Sequence, residues 1–245
     1  MKNIKLLLLL LFPFVLVAQN SPLNLKINSI TFHDSITSRR VYQIKYQIEN
    51  TTPREVQFFL NPTSLIAQAA SSMTLFTVYK MYRNGVYDTM DGPFYEKMYP
   101  EQDEMEDITD YNSPDAMAFI SKLKQKYQDR KKQYINDYKK NGGESTNEDW
   151  IVNNQKLMNT IVTLQPNEVK NFVIQTSWHR NRYIKIADYE FYLDEKDKFE
   201  IQLLLILNKS DRKQFLTEKE LSNIKNNLNF IEGTITSNRM EISFN

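Results

Sequence analysis

The clearest pattern of hydrophobic and polar positions along the chain lies in Phe199–Leu207, which reads F-E-I-Q-L-L-L-I-L. Every second residue from the start of this segment is apolar, so one face of an extended strand would be hydrophobic throughout. The other face begins with Glu200 and Gln202 but ends with Leu204 and Ile206. We therefore predict a central strand that runs from the rim of a sheet into a part of the core that is covered on both faces.

Alternating patterns elsewhere predict about nine short strands and two hairpins. Val41–Glu49 and Val56–Leu60 flank the turn sequence N-T-T-P, and we predict that the two segments pair across this turn. Thr160–Leu164 and Val169–Trp178 flank the turn sequence Q-P-N-E in the same way and predict the second hairpin. Both hairpins would be parts of an antiparallel architecture.

The first alternating segment, Leu25–His33, changes phase along its length. Its apolar positions lie on one face before Asn28–Ser29 and on the other face after it. A shift of this kind needs one extra residue, because side chains of a strand alternate with a period of two. The pattern therefore predicts either a bulge or a strand that crosses from one sheet to another.

One long helix and one short helix are predicted between the strands. Ala116–Lys140 has apolar and aromatic residues at helical spacing, follows the N-cap candidate Ser113-Pro114 and stops at Gly142-Gly143. Thr217–Glu220 reads as a capping box and predicts a short helix in the C-terminal half. We interpret the long helix and the loop before it as an insertion at about residues 86–156.

The insertion has opposite charges in its two parts. Asp88–Asp115 contains ten acidic residues and one lysine, a local charge of −9, whereas Ala116–Lys140 contains eight basic and two acidic residues, a local charge of +6. The simplest interpretation is that the two parts neutralise each other. The alternative is that the basic helix binds an acidic partner, an anionic lipid face or nucleic acid. Its candidate contact residues are Lys124, Tyr127, Lys131 and Tyr134.

A second candidate contact surface is the stretch that reads W-H-R-N-R-Y. Arginine and aromatic residues are enriched where proteins recognise one another, so these residues form a candidate recognition loop. A buried tryptophan followed by two solvated arginines explains the same residues equally well. The candidate residues are Trp178, His179, Arg180, Arg182 and Tyr183.

The N-terminus predicts export. Lys2 and Lys5 flank a short positive region, Leu6–Val17 is an apolar run of 12 residues, and Ala18 is a small residue at which cleavage can occur. The run is shorter than the roughly 20 apolar residues that a membrane-spanning helix needs. We therefore expect residues 1–18 to be a signal peptide and residues 19–245 to be a single domain. This domain would be periplasmic or secreted, without stable membrane insertion.

The composition excludes several classes of function. The chain has no cysteine, and its 31 basic and 30 acidic residues give no overall field for nucleic acid. Its five glycines form neither a dinucleotide-binding motif nor a P-loop. His33 and His179 are in no catalytic motif, and the acids of Glu101–Asp110 do not match a calcium loop. We expect no catalytic residue, no metal, no cofactor and no nucleic-acid partner.

Four segments resemble parts of the immunoglobulin-like β-sandwich domains of secreted bacterial proteins. They are Ile48–Leu60, Leu164–Glu168, Asp197–Leu203 and Ser237–Phe244. Asp197-Lys198-Phe199 lies where such folds have an Asp-x-Tyr corner, although phenylalanine lacks the hydroxyl of that corner. The resemblance implies a mostly β fold, namely an immunoglobulin-like antiparallel β-sandwich with an inserted long α-helix and one short helix in the C-terminal half. It implies no particular function.

Taken together, these features predict an exported, non-catalytic binding or assembly module of the cell envelope or the secreted space, with a protein partner. The alternative is a hydrolase that uses carboxylates, or an inhibitor of a hydrolase. A pocket that gathers several acids with His179 would favour catalysis. A flat surface with an aromatic rim would favour binding.

Overall fold

The computed structural model describes residues 21–36, 39–68, 74–88, 92–94, 110–179, 185–186, 189–190, 193 and 196–244. Within these residues the chain is mostly β, with twelve strands and three α-helices. The predicted signal peptide and most of the acidic stretch lie outside them. The strands are β1 (Leu23–Ile36), β2 (Arg39–Asn50), β3 (Val56–Phe59), β4 (Asn61–Ala67), β5 (Phe76–Arg83), β6 (Val86–Asp88), β7 (Ile161–Leu164), β8 (Val169–His179), β9 (Lys185–Ile186), β10 (Tyr189–Glu190), β11 (Phe199–Leu207) and β12 (Gly233–Ile242). The helices are α1 (Pro114–Lys140), α2 (Glu148–Met158) and α3 (Glu218–Asn226), with a 3₁₀ turn at Lys213–Phe215.

The described strands form one three-stranded, one five-stranded and two two-stranded sheets. In the three-stranded sheet β2 lies between β1 and β8, and both pairs are antiparallel. The five-stranded sheet has the order β12-β11-β5-β4, and β6 also pairs with β5. In the small sheets β3 pairs with β7 and β9 pairs with β10. The prediction of a mostly β, largely antiparallel protein is therefore confirmed.

The predicted central strand is β11. It pairs antiparallel with β12 on one side and with β5 on the other. Leu203 and Leu205 are completely buried on its inner face. On the outer face Leu204 is buried in a separate small cluster with Ile66 and Val78. The strand is therefore covered on both faces in its second half, as its sequence pattern predicts.

One hydrophobic core joins the inner faces of the three-stranded and five-stranded sheets. Full burial of each large apolar side chain contributes about 1.5–3 kcal/mol, so this core is the main source of stability. The two sheets also approach each other at their edges, where β1 lies beside β12 and β4 lies beside β8. Completely buried core residues include Ile27, Tyr42, Ile44, Tyr46, Ile48, Phe58, Leu164, Ile174, Ile201, Leu203 and Leu205.

The phase change in β1 is a bulge. The register between β1 and β2 shifts between Ile27 and Ser29, at the predicted position. Next to the bulge, the backbone N–H of Ile27 donates to the side-chain oxygen of Asn238 in β12 at 2.9 Å. A side chain of the opposite sheet therefore satisfies a backbone group at the edge of β1, which would otherwise be open to another strand.

Both predicted hairpins are wrong, because the strands on either side of each turn belong to different sheets. β2 pairs with β1 and β8, whereas β3 pairs with β7. The chain therefore crosses between sheets at N-T-T-P and crosses back at Q-P-N-E. The completely buried side chain of Asn50 joins the two crossings. Its Nδ2 donates to the carbonyl oxygens of Arg54, Leu164 and Gln165 at 2.7, 3.2 and 2.9 Å.

The predicted long helix is confirmed. The side-chain oxygen of Ser113 accepts the N–H of Ala116 at 3.2 Å and caps the start of α1. At the other end Gly142 has a φ of 81°, a conformation that glycine adopts without strain. A side chain at the next residue, Gly143, would collide with the ring of Tyr138. The sequence around both ends therefore determines where α1 begins and ends.

The parallel strand β4 and the helix α2 have no counterpart in the sequence prediction. β4 pairs with β5 in parallel, so the five-stranded sheet is not wholly antiparallel. The insertion, predicted as a loop and one helix, contains the second helix α2. The side chain of Asn147 caps α2 by accepting the N–H of Trp150 at 3.0 Å.

A second, smaller core lies between α2, α3 and the sheet of β3 and β7. The capping box at the start of α3 is present as predicted, with Thr217 and Glu220 bonded reciprocally. This core fixes α2 to the β-sheets, so α2 is a structural part of the fold. Its buried residues are Phe59, Leu157, Leu216, Ile224 and Phe230.

Candidate functional site

The structure describes the candidate recognition loop W-H-R-N-R-Y only in part. Trp178 is half-buried and packs against the main core, with its ring at 5.1 Å from the ring of Phe244 in an edge-on arrangement. The backbone of His179 pairs with Arg39, but its side chain lies outside the described part of the chain. The other three candidates, Arg180, Arg182 and Tyr183, lie outside it as well. The described contacts of Trp178 therefore support a role in packing.

An aromatic cluster surrounds Phe244 at the end of the two sheets where Trp178 lies. Its ring lies 5.6 Å from Tyr42, 6.0 Å from Phe94 and 5.3 Å from Phe199, measured between ring centroids. The hydroxyl of Tyr42 donates to the backbone oxygen of Ser243 at 2.7 Å. Phe244 is almost completely buried, so these rings form the closed end of the core.

Arg40 lies beside this cluster and is engaged within the protein. Its guanidinium donates to both carboxylate oxygens of Asp34, at 2.8 and 3.2 Å, and lies 4.0 Å from the ring centroid of Phe32. The hydrogen bonds to Asp34 are the main reason why the pKa of Arg40 is raised above its ordinary value, against a smaller opposing effect of burial. Phe32 remains 45% exposed and therefore presents apolar surface at this end of the two sheets.

The candidate contact surface on α1 faces α2. The Nζ of Lys131 lies 3.2 Å from a carboxylate oxygen of Glu148 and 3.1 Å from one of Asp149. These hydrogen bonds, first that to Asp149 and then that to Glu148, raise the pKa of Lys131 above its ordinary value. Lys131 therefore pairs with acids of the next helix, a partner that the sequence analysis does not predict.

The other three α1 candidates lie along the same side of the helix. Tyr134 is half-buried, whereas Tyr127 is 52% exposed and its ring centroid lies 5.9 Å from the Nζ of Lys156 in α2. Lys124 is exposed. The four predicted residues therefore do form one stripe, and the exposure of its members increases toward the N-terminus of α1.

α2 connects α1 to the rest of the domain. The ring of Trp150 lies edge-on against the ring of Tyr138 at 5.8 Å, and its Nε1 donates to the backbone oxygen of Gln214 at 2.8 Å. The completely buried Asn154 donates to the backbone oxygen of Phe215 and to the carboxylate of Glu220, at 2.8 and 2.9 Å. Trp150 is therefore a packing residue.

The two helices are antiparallel and of unequal length. Trp150 near the start of α2 contacts Tyr138, whereas Lys156 near its end lies over Tyr127. With a rise of about 1.5 Å per residue, α1 is about 40 Å long and α2 about 16 Å. α2 therefore accompanies α1 only as far as Tyr127. The first half of α1 extends beyond it.

The described residues provide little for catalysis or metal binding. No group of three or more histidine and acidic residues is placed to hold a metal ion among the residues that the structure describes. Asp88 and Asp197 lie 3.3 and 3.8 Å from the guanidinium of Arg83, so these two carboxylates are ion-paired. In the same part of the chain, we find no helix with the length and apolar character needed to cross a bilayer.

Several residues of this helical surface are missing from the sequence prediction. Glu148 and Asp149 pair with Lys131, and Asn154 holds α2 in place. The sequence signal for them is Asn147 followed by two acids, which is a typical helix start. The comparisons add no further residues: searches with family models, curated proteins and solved structures found no match for this chain.

Proposed function

We propose that the protein is an exported, non-catalytic binding or assembly module of the cell envelope or the secreted space, and that α1 is its main contact element for a protein partner. The observation that supports this proposal is the position of α1. The helix has 27 residues, of which Ala116 and Tyr138 are buried. Among the described residues, neither the main core nor the second core includes a side chain of α1. The exposed side chains of α1 are therefore available for contact.

The charge of α1 supports a protein partner with an acidic surface. Lys122, Lys124 and Lys132 are all exposed, and the apolar stripe of the helix provides contact area beside Lys124. Electrostatic complementarity of this kind increases the rate and specificity of association between proteins. No overall positive field accompanies it, because the whole chain has a net charge of +1.

We further propose that the sandwich is immunoglobulin-like. Two mainly antiparallel sheets packed face to face around a common core support this proposal, as do the two crossings between sheets. The parallel pair of β4 and β5 and the helix-covered pair of β3 and β7 would be additions to that fold. Such a domain would present α1 on a rigid support.

The test is affinity capture from an envelope extract with residues 19–245 and with the variant Lys122→Glu/Lys124→Glu/Lys132→Glu. We expect the wild-type chain to retain a partner and the variant to retain about tenfold less, because three attractive charges become repulsive. The amount of each captured protein is measured by quantitative mass spectrometry.

The matched control is Lys26→Glu/Lys45→Glu/Lys170→Glu, which changes three exposed lysines of the sandwich strands by the same charge. This control should capture as much partner as the wild-type chain. Circular dichroism and thermal unfolding establish that all three proteins are folded. Equal loss in both variants, or no loss in the α1 variant, would refute α1 as the contact element.

A further inference from the structure

We infer that the first half of α1 binds an acidic amphipathic helix of the partner protein, which would lie end to end with α2. This inference rests on the proposed function and specifies the kind of partner. It follows from the contact between α1 and α2, which already shows what kind of helix this side of α1 accepts.

The side of α1 that faces α2 is repeated in the half that extends beyond it. Seven residues are close to two helical turns, so residues seven apart lie on the same side. Lys124 precedes Lys131 by seven residues, and Ile120 and Tyr127 precede Tyr127 and Tyr134 by the same interval. The stripe against which α2 packs therefore continues toward the N-terminus with a lysine and apolar residues at equivalent positions.

The second half of α1 shows the chemistry that fits this stripe. α2 provides acidic side chains to Lys131 and an aromatic ring to Tyr138. In the first half, Lys124 is exposed, Ile120 and Leu123 are half-buried, and Met117 and Tyr127 are 56% and 52% exposed. The surface thus consists of apolar side chains with a lysine at their border, and an acidic amphipathic helix is complementary to it in shape and charge.

The length of this surface is sufficient for a helix. The residues from Pro114 to Lys126 make up about 20 Å of α1, slightly more than the 16 Å over which α2 packs. A partner helix of four turns would continue the line of α2 and extend an interface that the domain already uses. Such a contact adds a helix to an existing pair, a common mode of recognition between proteins.

The test uses a fluorescein-labelled synthetic peptide of about 18 residues, made of leucine, alanine and glutamate with leucine at helical spacing. Binding to residues 19–245 is measured by fluorescence anisotropy at low and high salt. We expect saturable binding that weakens as salt increases. The same peptide with lysine in place of glutamate should not bind.

Two variants test the position of the site. Lys124→Glu should weaken binding of the acidic peptide about tenfold, because the charge that attracts it is reversed. Lys140→Glu is the matched control, since Lys140 is exposed on the opposite side of the same helix, and it should bind within about twofold of the wild-type chain. Ile120→Ser/Leu123→Ser should weaken binding at every salt concentration, with circular dichroism as the check on folding.

Several results would overturn the inference. If the Lys124→Glu and Lys140→Glu variants bind the peptide equally well, the stripe is not the site. If the molecular mass of the protein doubles as its concentration rises, the surface binds a second copy of this chain. If the protein binds tightly to phosphatidylglycerol vesicles, the surface binds lipid. If the peptide binds only after the acids of Glu101–Asp110 have been neutralised, the surface is occupied by these acids of the same chain.

The outcome is distinguishable from that of the proposed function. If the lysine variants lose the natural partner but the acidic peptide never binds, α1 remains the contact element and the helical partner is wrong. If the peptide binds through Lys124 but natural capture does not depend on the lysines, the proposed contact element is wrong.

Discussion

Asn50 illustrates how one polar side chain stabilises the crossing of two chain segments. It is completely buried, its Nδ2 donates to three carbonyl oxygens, and its Oδ1 accepts from the backbone N–H and the hydroxyl of Thr52 at 3.0 and 2.7 Å. Burial of an amide costs free energy unless its groups are hydrogen-bonded. Here both the donor and the acceptor are satisfied, so the side chain joins the two crossings without an uncompensated polar group.

We predict that Asn50→Ala lowers the free energy of unfolding by about 3 kcal/mol, because buried carbonyl oxygens of two segments lose their donor. The measurement is urea unfolding followed by circular dichroism. Thr51→Ala is the neighbouring control, since its hydroxyl bonds to Ser21 at an exposed position, and it should cost less than about 0.5 kcal/mol. A loss below about 1 kcal/mol for Asn50→Ala would contradict this account.

Tyr46 gives the protein a specific sensitivity to alkaline pH. Burial, which outweighs the opposing effect of a hydrogen bond to Thr77, raises the pKa of its hydroxyl well above the ordinary value of 10.0. Above pH 10 the unfolded chain releases this proton while the folded chain keeps it. The stability is therefore complete below pH 10 and is lost as the pH rises, by about 1.4 kcal/mol per unit.

We predict that Tyr46→Phe removes this pH dependence. At pH 7 the variant should be about 1 kcal/mol less stable, because the backbone oxygen of Pro62 loses a hydrogen bond of 3.0 Å. Above pH 10 the two stability curves should converge. Tyr111→Phe changes a side chain that is 52% exposed, so it should leave the stability at pH 7 unchanged. Urea unfolding at a series of pH values gives the comparison, and parallel curves would show that Tyr46 does not titrate in this way.

At the scale of elements, α2 determines the position of α1. α1 packs on α2, and α2 is bonded to the 3₁₀ turn and to α3 through Trp150 and Asn154. Glu220 has two roles, because it closes the capping box of α3 and accepts from Asn154. The orientation of the proposed contact helix therefore depends on hydrogen bonds some distance from its exposed half.

We predict that Asn154→Ala increases hydrogen exchange throughout α2 and in the second half of α1, and lowers the stability by about 2 kcal/mol. The control is Asn153→Ala, one residue earlier, whose side chain bonds to the backbone oxygen of Asp149 within the same helix. Exchange is followed by mass spectrometry. The same exchange pattern in both variants would mean that Asn154 does not hold the helices in place.

At the scale of the whole molecule, sequence patterns predict elements better than they predict partners. The alternation in Phe199–Leu207, the bulge at Ile27 and Ser29 and the start and end of α1 all depend on local spacing and capping, and the structure has each of them. Which strands pair is determined by contacts between residues far apart in the chain, such as Asn50 with Leu164. A turn sequence carries no information about such contacts, which is why both hairpin predictions are wrong.

The candidate site also shows that sequence patterns predict elements better than they predict partners. The stripe of Lys124, Tyr127, Lys131 and Tyr134 follows from helical periodicity, and the structure places all four on one side of α1. Its use by α2 does not follow, because α2 is a short helix in which the apolar residues Trp150, Ile151 and Val152 are consecutive, and a short apolar run does not show a helical period. Trp178 belongs to the core because Phe244, 66 residues later, packs on it.

The neighbouring edge strands β1 and β12 determine how the domain would carry a mechanical load. Both run toward the aromatic end, since Ile36 is opposite Arg39, and Ile242 is opposite Phe199. β1 therefore begins at the end of the two sheets that is opposite the aromatic cluster, and β12 finishes beside that cluster. Tension between these ends acts along the strands, perpendicular to the hydrogen bonds that join β1 to β2 and β12 to β11. We expect those bonds to share the force instead of opening in succession, so that the two sheets resist stretching along the strands.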